Sequence, residues 1–304
     1  MYDLMIIGGG PAGLSAGIYA ARKQLQTLLL SADIGGQMNT TMGIENWLGY
    51  QFIQAPDLIS NFQDHVNQFP IDQKIGIRVS ELKEISGGLE AVTEQDEKYQ
   101  SRAVILATGK KPRMLNVPGE KELTGRGVTY CAICDGPVFA GQRVAVVGGG
   151  NSAIEAVLDM GKIAEHVDLV SLTPLSADPI LVNQLPGVKN LTIFIEYQTV
   201  KIEGKELVEG LVIKEMKTGE EKRLDDTGVF IEIGLLPNSE PVRGLLALNK
   251  QGEVPISSFC ETTLPGLYAA GDVTDVPEKQ IIIAAGEGAK AALQAHRYLQ
   301  RREE

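Results

Sequence analysis

Cysteine is scarce in this chain: three residues among 304, too few for a disulfide scaffold. Two of them, Cys131 and Cys134, stand two residues apart and leave only Cys260. With no second CxxC and no adjacent histidine, a four-ligand zinc site is not expected, and no metal is assigned. Histidine is as rare. His65, His166 and His296 lie far apart without metal-ligand spacing, so surface or capping roles are expected. Basic residues are in deficit, 28 against 39 acidic ones, for a net charge of −11. No basic patch of useful size is visible, which argues against nucleic acid and anionic membrane as partners. No apolar run approaches the ~20 residues of a membrane span. The first apolar strand begins almost at Met1, leaving no room for a signal segment, so a cytoplasmic setting is expected.

What the chain has in plenty is glycine, 34 residues without a collagen-like period. Leu4–Ile7 is a short apolar strand followed by Gly8-Gly9-Gly10-Pro11-Ala12-Gly13, a helical pattern from Leu14 to Lys23 and a second strand at Thr27–Leu30. In such a βαβ turn the first glycine bends the strand, the second admits a pyrophosphate and the third allows close helix packing. Backbone N–H groups and the helix dipole then hold the phosphates. The arrangement returns at Arg143–Val147, Gly148-Gly149-Gly150-Asn151-Ser152-Ala153, a helix to about Lys162 and a strand at Val167–Val170. Two dinucleotide folds in one chain suggest two dinucleotides. At 304 residues there is room for about two domains.

Between the turns, Ile34–Gly49 reads as a loop over a ligand, and segments from Ile75 to Val92 alternate as strands of a small antiparallel sheet. Ala103–Leu106 is a strand ending in Ala107-Thr108-Gly109. Leu191–Glu232 is strand-rich, with a hairpin turn at Lys217-Thr218-Gly219-Glu220, and Gly234-Leu235-Leu236-Pro237-Asn238 closes it. Near the end, Leu267–Ala270 runs into Gly271-Asp272, and Ile282–Arg297 is a long helix. The first fold stops at Gly109 without enough strands, and this C-terminal strand and helix could complete it. Cys260 reads as a packing residue, and Trp47, the only tryptophan, as core filling or a contact near a bound ligand.

The cysteine pair, Cys131-Ala132-Ile133-Cys134, follows a run of turn-formers and precedes Asp135. That spacing lets two sulfurs cycle between dithiol and disulfide. With GGGPAG at 8–13, GGQ at 35–37, ENW at 45–47, ATG at 107–109, VTYCAICDGP at 128–137, GGGNS at 148–152, IGLLPN at 233–238, AAGD at 269–272 and KQIIIA at 279–284, the whole chain resembles the low-molecular-weight thioredoxin reductases. It resembles more closely the C-terminal flavoprotein part of the alkyl hydroperoxide reductase flavoprotein.

The resemblance implies an α/β fold of two Rossmann-like, three-layer ββα domains, the second inserted in the first. A discontinuous FAD-binding domain would span 1–116 and 245–304, and an NAD(P)-binding domain carrying the CxxC would span 117–244. It implies FAD held by Gly8, Gly10, Pro11, Ala12 and Gly13, by Gly36, Gln37 and Asn46, by Thr108 and Gly109, and by Gly271, Asp272, Lys279, Gln280 and Ile281. The nicotinamide dinucleotide would fall to Gly148, Gly150, Asn151, Ser152, Glu155 and Ser171. Electrons would pass from NADH through FAD to the Cys131/Cys134 disulfide. Cys134 would face the flavin, Cys131 would attack a partner's disulfide, and Asp135 would protonate the leaving thiolate. A thioredoxin-like, glutaredoxin-like or peroxiredoxin-linked protein would be the partner, and a homodimer the assembly. The inserted domain would rotate, with Pro118-Gly119 and Arg243-Gly244 as hinges.

One stretch departs from the family. NADPH-using members follow the second strand with basic residues that grip the 2′-phosphate, whereas here Ser171-Leu172-Thr173-Pro174-Leu175-Ser176-Ala177 holds no cation. NADH is favoured over NADPH by the absence of that clamp. Ser171 stands where NADH users place an acidic ribose reader. A flavin disulfide reductase with another donor such as ferredoxin, a dithiol oxidase passing electrons to oxygen and a non-enzymatic redox sensor are the competing readings.

Overall fold

A computed structural model describes residues 1–41 and 43–302. Two sheets built on one plan organise the chain. In the first, parallel strands run in the order Ile71–Ile75, Thr27–Ile34, Tyr2–Gly9, Lys98–Leu106. In the second the order is Leu191–Ile195, His166–Ser171, Arg143–Val147, Gly228–Ile231, Val128–Thr129, again all parallel. Each has its first crossover helix, Pro11–Arg22 or Asn151–Ile163, directly after the glycine turn.

The apolar runs that open these strands have no polar alternation because both faces of each sheet are covered. Leu4 and Ile6 face one core, with Leu29, Ile105 and the small residues of helices Pro11–Arg22 and Ile281–Arg301. Met5 and Ile7 face a second core with Leu28, Leu30, Val104, Val242 and Leu246. At about 2 kcal/mol for each large apolar side chain buried, these runs secure the strand register. Within the second sheet the same alternation puts Ala145 and Val147 on one side and Val144 and Val146 on the other.

The C-terminal segment completes the first fold. Leu267–Ala269 adds in parallel to the second half of Lys98–Leu106. Helix Ile281–Arg301 lies so close on helix Pro11–Arg22 that a Cβ on Gly288 would meet the Ala12 carbonyl oxygen at 1.9 Å.

Several local expectations are modified. Val79–Ile85 and Gly88–Thr93 do pair antiparallel, but as part of the main seven-stranded sheet, since the first half of the long strand Lys98–Leu106 offers them an edge. The second fold instead makes its meander, Tyr197–Gly204, Val208–Glu215 and Glu221–Leu224, a separate three-stranded sheet. The loop after Ile34 contains a 3₁₀ turn at Gly36–Thr40 and a short ribbon, Gly43–Ile44 with Ile53–Gln54; Met42, inside it, lies outside the described residues. His296 is half-buried rather than a surface group, its Nδ1 without a hydrogen-bond partner among the described residues. His166 joins Asp168 and Thr192 at 3.1 and 2.9 Å.

The chain passes between the two folds through a two-stranded antiparallel ribbon, Lys110–Pro112 paired with Leu235–Pro237. Pro118 and Gly119 are pinned to the second fold: the Pro118 carbonyl accepts the Ile202 N–H at 2.9 Å, and a Cβ on Gly119 would strike the Ile202 carbonyl at 2.0 Å. No helix among the described residues is long and apolar enough to cross a membrane.

Candidate active site at the glycine turns and the cysteine pair

The first turn is shaped by close backbone approach. Gly8 has φ +119°, and a Cβ there would lie 2.2 Å from the Ala107 carbonyl oxygen. A Cβ on Gly13 would meet the Gly8 carbonyl at 1.8 Å. Both positions require glycine for the fold itself. Gly10 differs: its φ is −78°, and nothing lies within 4 Å of a built Cβ. Packing does not demand glycine there, whereas a ligand approaching the backbone would. Gly10 is also the N-cap of helix Pro11–Arg22 and provides no side-chain cap, so the first-turn N–H groups are left for another acceptor.

Some of the other residues assigned to FAD lie beside this turn: Thr108 at Gly8, Gly36 at Gly10 and Gly271 at Ala12. Gly36 comes within reach of Gly10, where an added Cβ would sit 3.5 Å from the Gly10 Cα. Gln37 Nε2 donates to Asp272 at 2.6 Å, and Asn46 Nδ2 donates to Gln280 Oε1 at 3.0 Å, tying the early loop to the C-terminal segment. Burial pushes the Asp272 carboxyl up, against the pull of Lys279 and Lys110. Gly271 donates its N–H to Glu287 at 2.8 Å and packs against Ala12. Gln280 is the N-cap of helix Ile281–Arg301 and, like Gly10, makes no side-chain cap. Trp47 packs edge-on to Phe62 at 5.0 Å, in a cluster with Ile281. Lys279 turns to the Thr274 carbonyl at 2.7 Å, and Thr108 donates to the Asn238 carbonyl at 2.7 Å beside the ribbon. An open glycine cradle, two uncapped helix starts and a half-buried aspartate fit a dinucleotide such as FAD.

The cysteine pair lies on the second fold and faces this cradle's loop. Cys131 and Cys134 form a disulfide with their Cα atoms 5.3 Å apart, Cys131 being the N-cap of the short helix Ala132–Asp135. The Cys134 N–H points at the Cys131 sulfur at 3.2 Å. Asp135, 5% exposed, accepts hydrogen bonds from the Thr129 and Thr41 hydroxyls. Burial raises its pKa, and the two hydroxyls work in the opposite direction. Asp135 is thus a buried acid next to the disulfide, with Thr41 reaching it from the first fold.

The second turn repeats the first. Gly148 has φ +150°, and a Cβ would lie 2.2 Å from the Glu232 carbonyl. Gly150, at φ −91°, has an open Cβ direction and caps helix Asn151–Ile163 without a side-chain bond. These features fit a second dinucleotide. Ser171 packs on Gly149 and donates its hydroxyl to the Thr173 carbonyl at 2.7 Å; in the first fold Ser31 packs on Gly9 and donates to Asp33 at 2.6 Å. Asn151 is clasped by Asp178, through Nδ2 to the carboxylate and from the Asp178 N–H to Oδ1, each at 2.8 Å. Glu155 follows one turn along the same helix.

Four participants escaped the sequence reading: Thr41, Thr129, Asp178 and Glu232. Hydroxyls that meet an acid across the fold leave no local pattern. Glu232 had one signal, since aligning the two fingerprints sets Glu232-Ile233-Gly234 against Ala107-Thr108-Gly109.

Two dinucleotide folds, the second carrying a disulfide, fit the class of nucleotide-linked disulfide oxidoreductases. Residues 2–288 match the Pyridine nucleotide-disulphide oxidoreductase family, and the chain belongs to that family. It is similar to a Staphylococcus aureus alkyl hydroperoxide reductase subunit, 42% identical over 98% of this chain and 59% of that protein. The chain therefore spans somewhat over half the length of the curated relatives it matches. Among solved structures, thioredoxin reductase from Streptococcus pyogenes superposes with a TM-score of 0.93 at 35% identity, covering 99% of each chain. Lactococcus lactis thioredoxin reductase in its FR conformation is 34% identical over 99% of this chain and 100% of that one, yet has a TM-score of 0.69. Membership implies FAD and a pyridine nucleotide as the two bound groups.

Proposed function

We propose that the chain reduces its Cys131–Cys134 disulfide with electrons from NADH, by way of FAD, and passes them to a thioredoxin-like or glutaredoxin-like disulfide protein. The observation that carries this reading is the Thr41–Asp135 hydrogen bond, which holds the redox helix against the loop that lines the first cradle. When bound, FAD would supply two-electron transfer between nicotinamide and disulfide.

Reducing one disulfide takes two electrons and two protons. Asp135, kept protonated to higher pH by burial, is positioned to give one proton to a leaving thiolate. Thr129 orients both partners, donating to Asp135 and accepting the Cys131 N–H at 3.2 Å. Cys131 would attack the partner and Cys134 would face the flavin, as the family resemblance implies.

Residues 117–244 would act as the inserted nucleotide unit and 1–116 with 245–304 as the FAD unit, swinging on the Lys110–Pro112/Leu235–Pro237 ribbon. The drop in TM-score between two thioredoxin reductases of nearly equal identity supports two arrangements of the same units. NADH is preferred because the stretch Ser171–Ala177 holds no cation to neutralise a 2′-phosphate. A homodimer is what the resemblance implies. A donor other than nicotinamide is the second reading, favoured by Ser171 and Asn151 already spending their polar groups within the chain.

Anaerobic titration of the flavin-loaded protein with NADH, then NADPH, decides between them. Bleaching by NADH alone supports the first reading. No bleaching by either, with dithionite still effective, overturns it in favour of the second.

A further inference from the structure

The two folds differ at the strand end that faces the first glycine. In one, Ala107 lies there against Gly8; in the other, Glu232 lies against Gly148. Contact with the glycine uses only the backbone carbonyl in both cases, so packing does not dictate the glutamate. Its carboxylate has other work. Glu232 Oε1 accepts the N–H of Ala132, the first residue of the redox helix and the neighbour of Cys131, at 3.2 Å. The Glu232 backbone N–H donates to the Val147 carbonyl, beside Gly148, at 2.8 Å. One residue with a half-buried carboxylate therefore ties the glycine turn to the start of the cysteine helix.

The charges around it are few. Glu155, on helix Asn151–Ile163, repels it. Asp135, on the redox helix, turns to Thr41 and Thr129 instead. Burial and Glu155 push the Glu232 carboxyl up to about 7, against the Ala132 N–H and the Ser152 hydroxyl that favour its charged form.

We propose that Glu232 is a positioning residue for the cysteine pair, holding the start of the redox helix through the Ala132 N–H and setting the acidity of the reduced thiols through its own charge. A free helix N–H stabilises a thiolate beside it, whereas one engaged by an anion does so less, and the anion itself opposes a second negative charge. Above neutrality Glu232 is charged and holds the thiols protonated; below neutrality it is neutral and that restraint lifts. The inference rests on Cys131–Cys134 being the redox pair, and not on which donor reduces it.

The test is alkylation of the chemically reduced, FAD-loaded protein with iodoacetamide across pH 6 to 9, read by peptide mass so that Cys131, Cys134 and Cys260 are separated. Glu232→Gln keeps an oxygen for the Ala132 N–H and removes the charge. Its thiols should react up to roughly tenfold faster than wild type near pH 8, one pKa unit, and the inflection near neutrality should vanish. Glu155→Gln leaves Glu232 in place but removes the repulsion, so the inflection should move to lower pH. A Glu232→Gln profile that superposes on wild type overturns the proposal. If that variant does not fold, as judged by circular dichroism and flavin absorbance, an unmoved inflection in Glu155→Gln overturns it instead. Because the reductant is dithiothreitol, failure of NADH to bleach the flavin would undo the donor reading without altering this result.

Discussion

Thr41 and Asp135 are 94 residues apart in sequence and belong to different glycine-turn folds, yet the threonine hydroxyl donates to the buried carboxylate. Together with Thr129 it counters the burial that raises the acid's pKa. Thr41→Val removes a bond that favours the charged form, so the pKa of Asp135 rises further. The pH limb that marks loss of the protonated acid in flavin-to-disulfide electron transfer should move to higher pH. Stopped-flow measurement of that step against pH checks it. Asp135→Asn should slow the same step by roughly a hundredfold below that limb, the deficit shrinking as pH rises through it.

Gly8 and Gly10 separate two reasons for glycine. Gly8→Ala forces a Cβ to 2.2 Å from a carbonyl oxygen at φ +119°, so the variant should be strongly destabilised or insoluble. Gly10→Ala meets no protein atom within 4 Å. It should fold with a melting temperature near that of the wild-type apoprotein but purify with little bound FAD, as absorbance of the released flavin would reveal.

Asp226 is fully buried, both its carboxylate oxygens lack a hydrogen-bond donor among the described residues, and it faces Asp168. Burial first, and then Asp168, push its pKa from 3.8 to about 7 despite Arg143. The unfolded chain releases this proton near pH 4 and the folded chain near 7. The group's stabilising contribution is therefore complete below pH 4, falls as pH rises, and is fully lost above 7. Asp226→Asn removes the titration. Urea unfolding should find the variant more stable than wild type by on the order of 2 kcal/mol at pH 8, with the gain shrinking toward pH 4.

Cys131→Ser and Cys134→Ser should each abolish reduction of a disulfide partner while leaving reduction of bound flavin by the nicotinamide donor intact. Partner turnover followed alongside anaerobic flavin bleaching distinguishes the two half-reactions. Loss of both in either variant would place the cysteines in the first half-reaction as well.

Much of this protein is determined locally. A strand, a glycine turn and a helix follow one another within a few residues, and Gly8, Gly13 and Gly148 are needed because backbones approach there, so both βαβ units were legible in the sequence. The long C-terminal helix and the cysteine pair were legible for the same reason, each resting on contacts between near neighbours in the chain. The tertiary structure alone decided what meets across distance. The antiparallel strands after Ile75 joined the main sheet because Lys98–Leu106 is long enough to pair with different partners along its two halves. Thr41 reaches Asp135, Asp178 clasps Asn151, and Glu232 holds Ala132. A hydroxyl or carboxylate acts through a bond of about 3 Å to whatever the fold brings within reach, and sequence spacing carries no record of that distance.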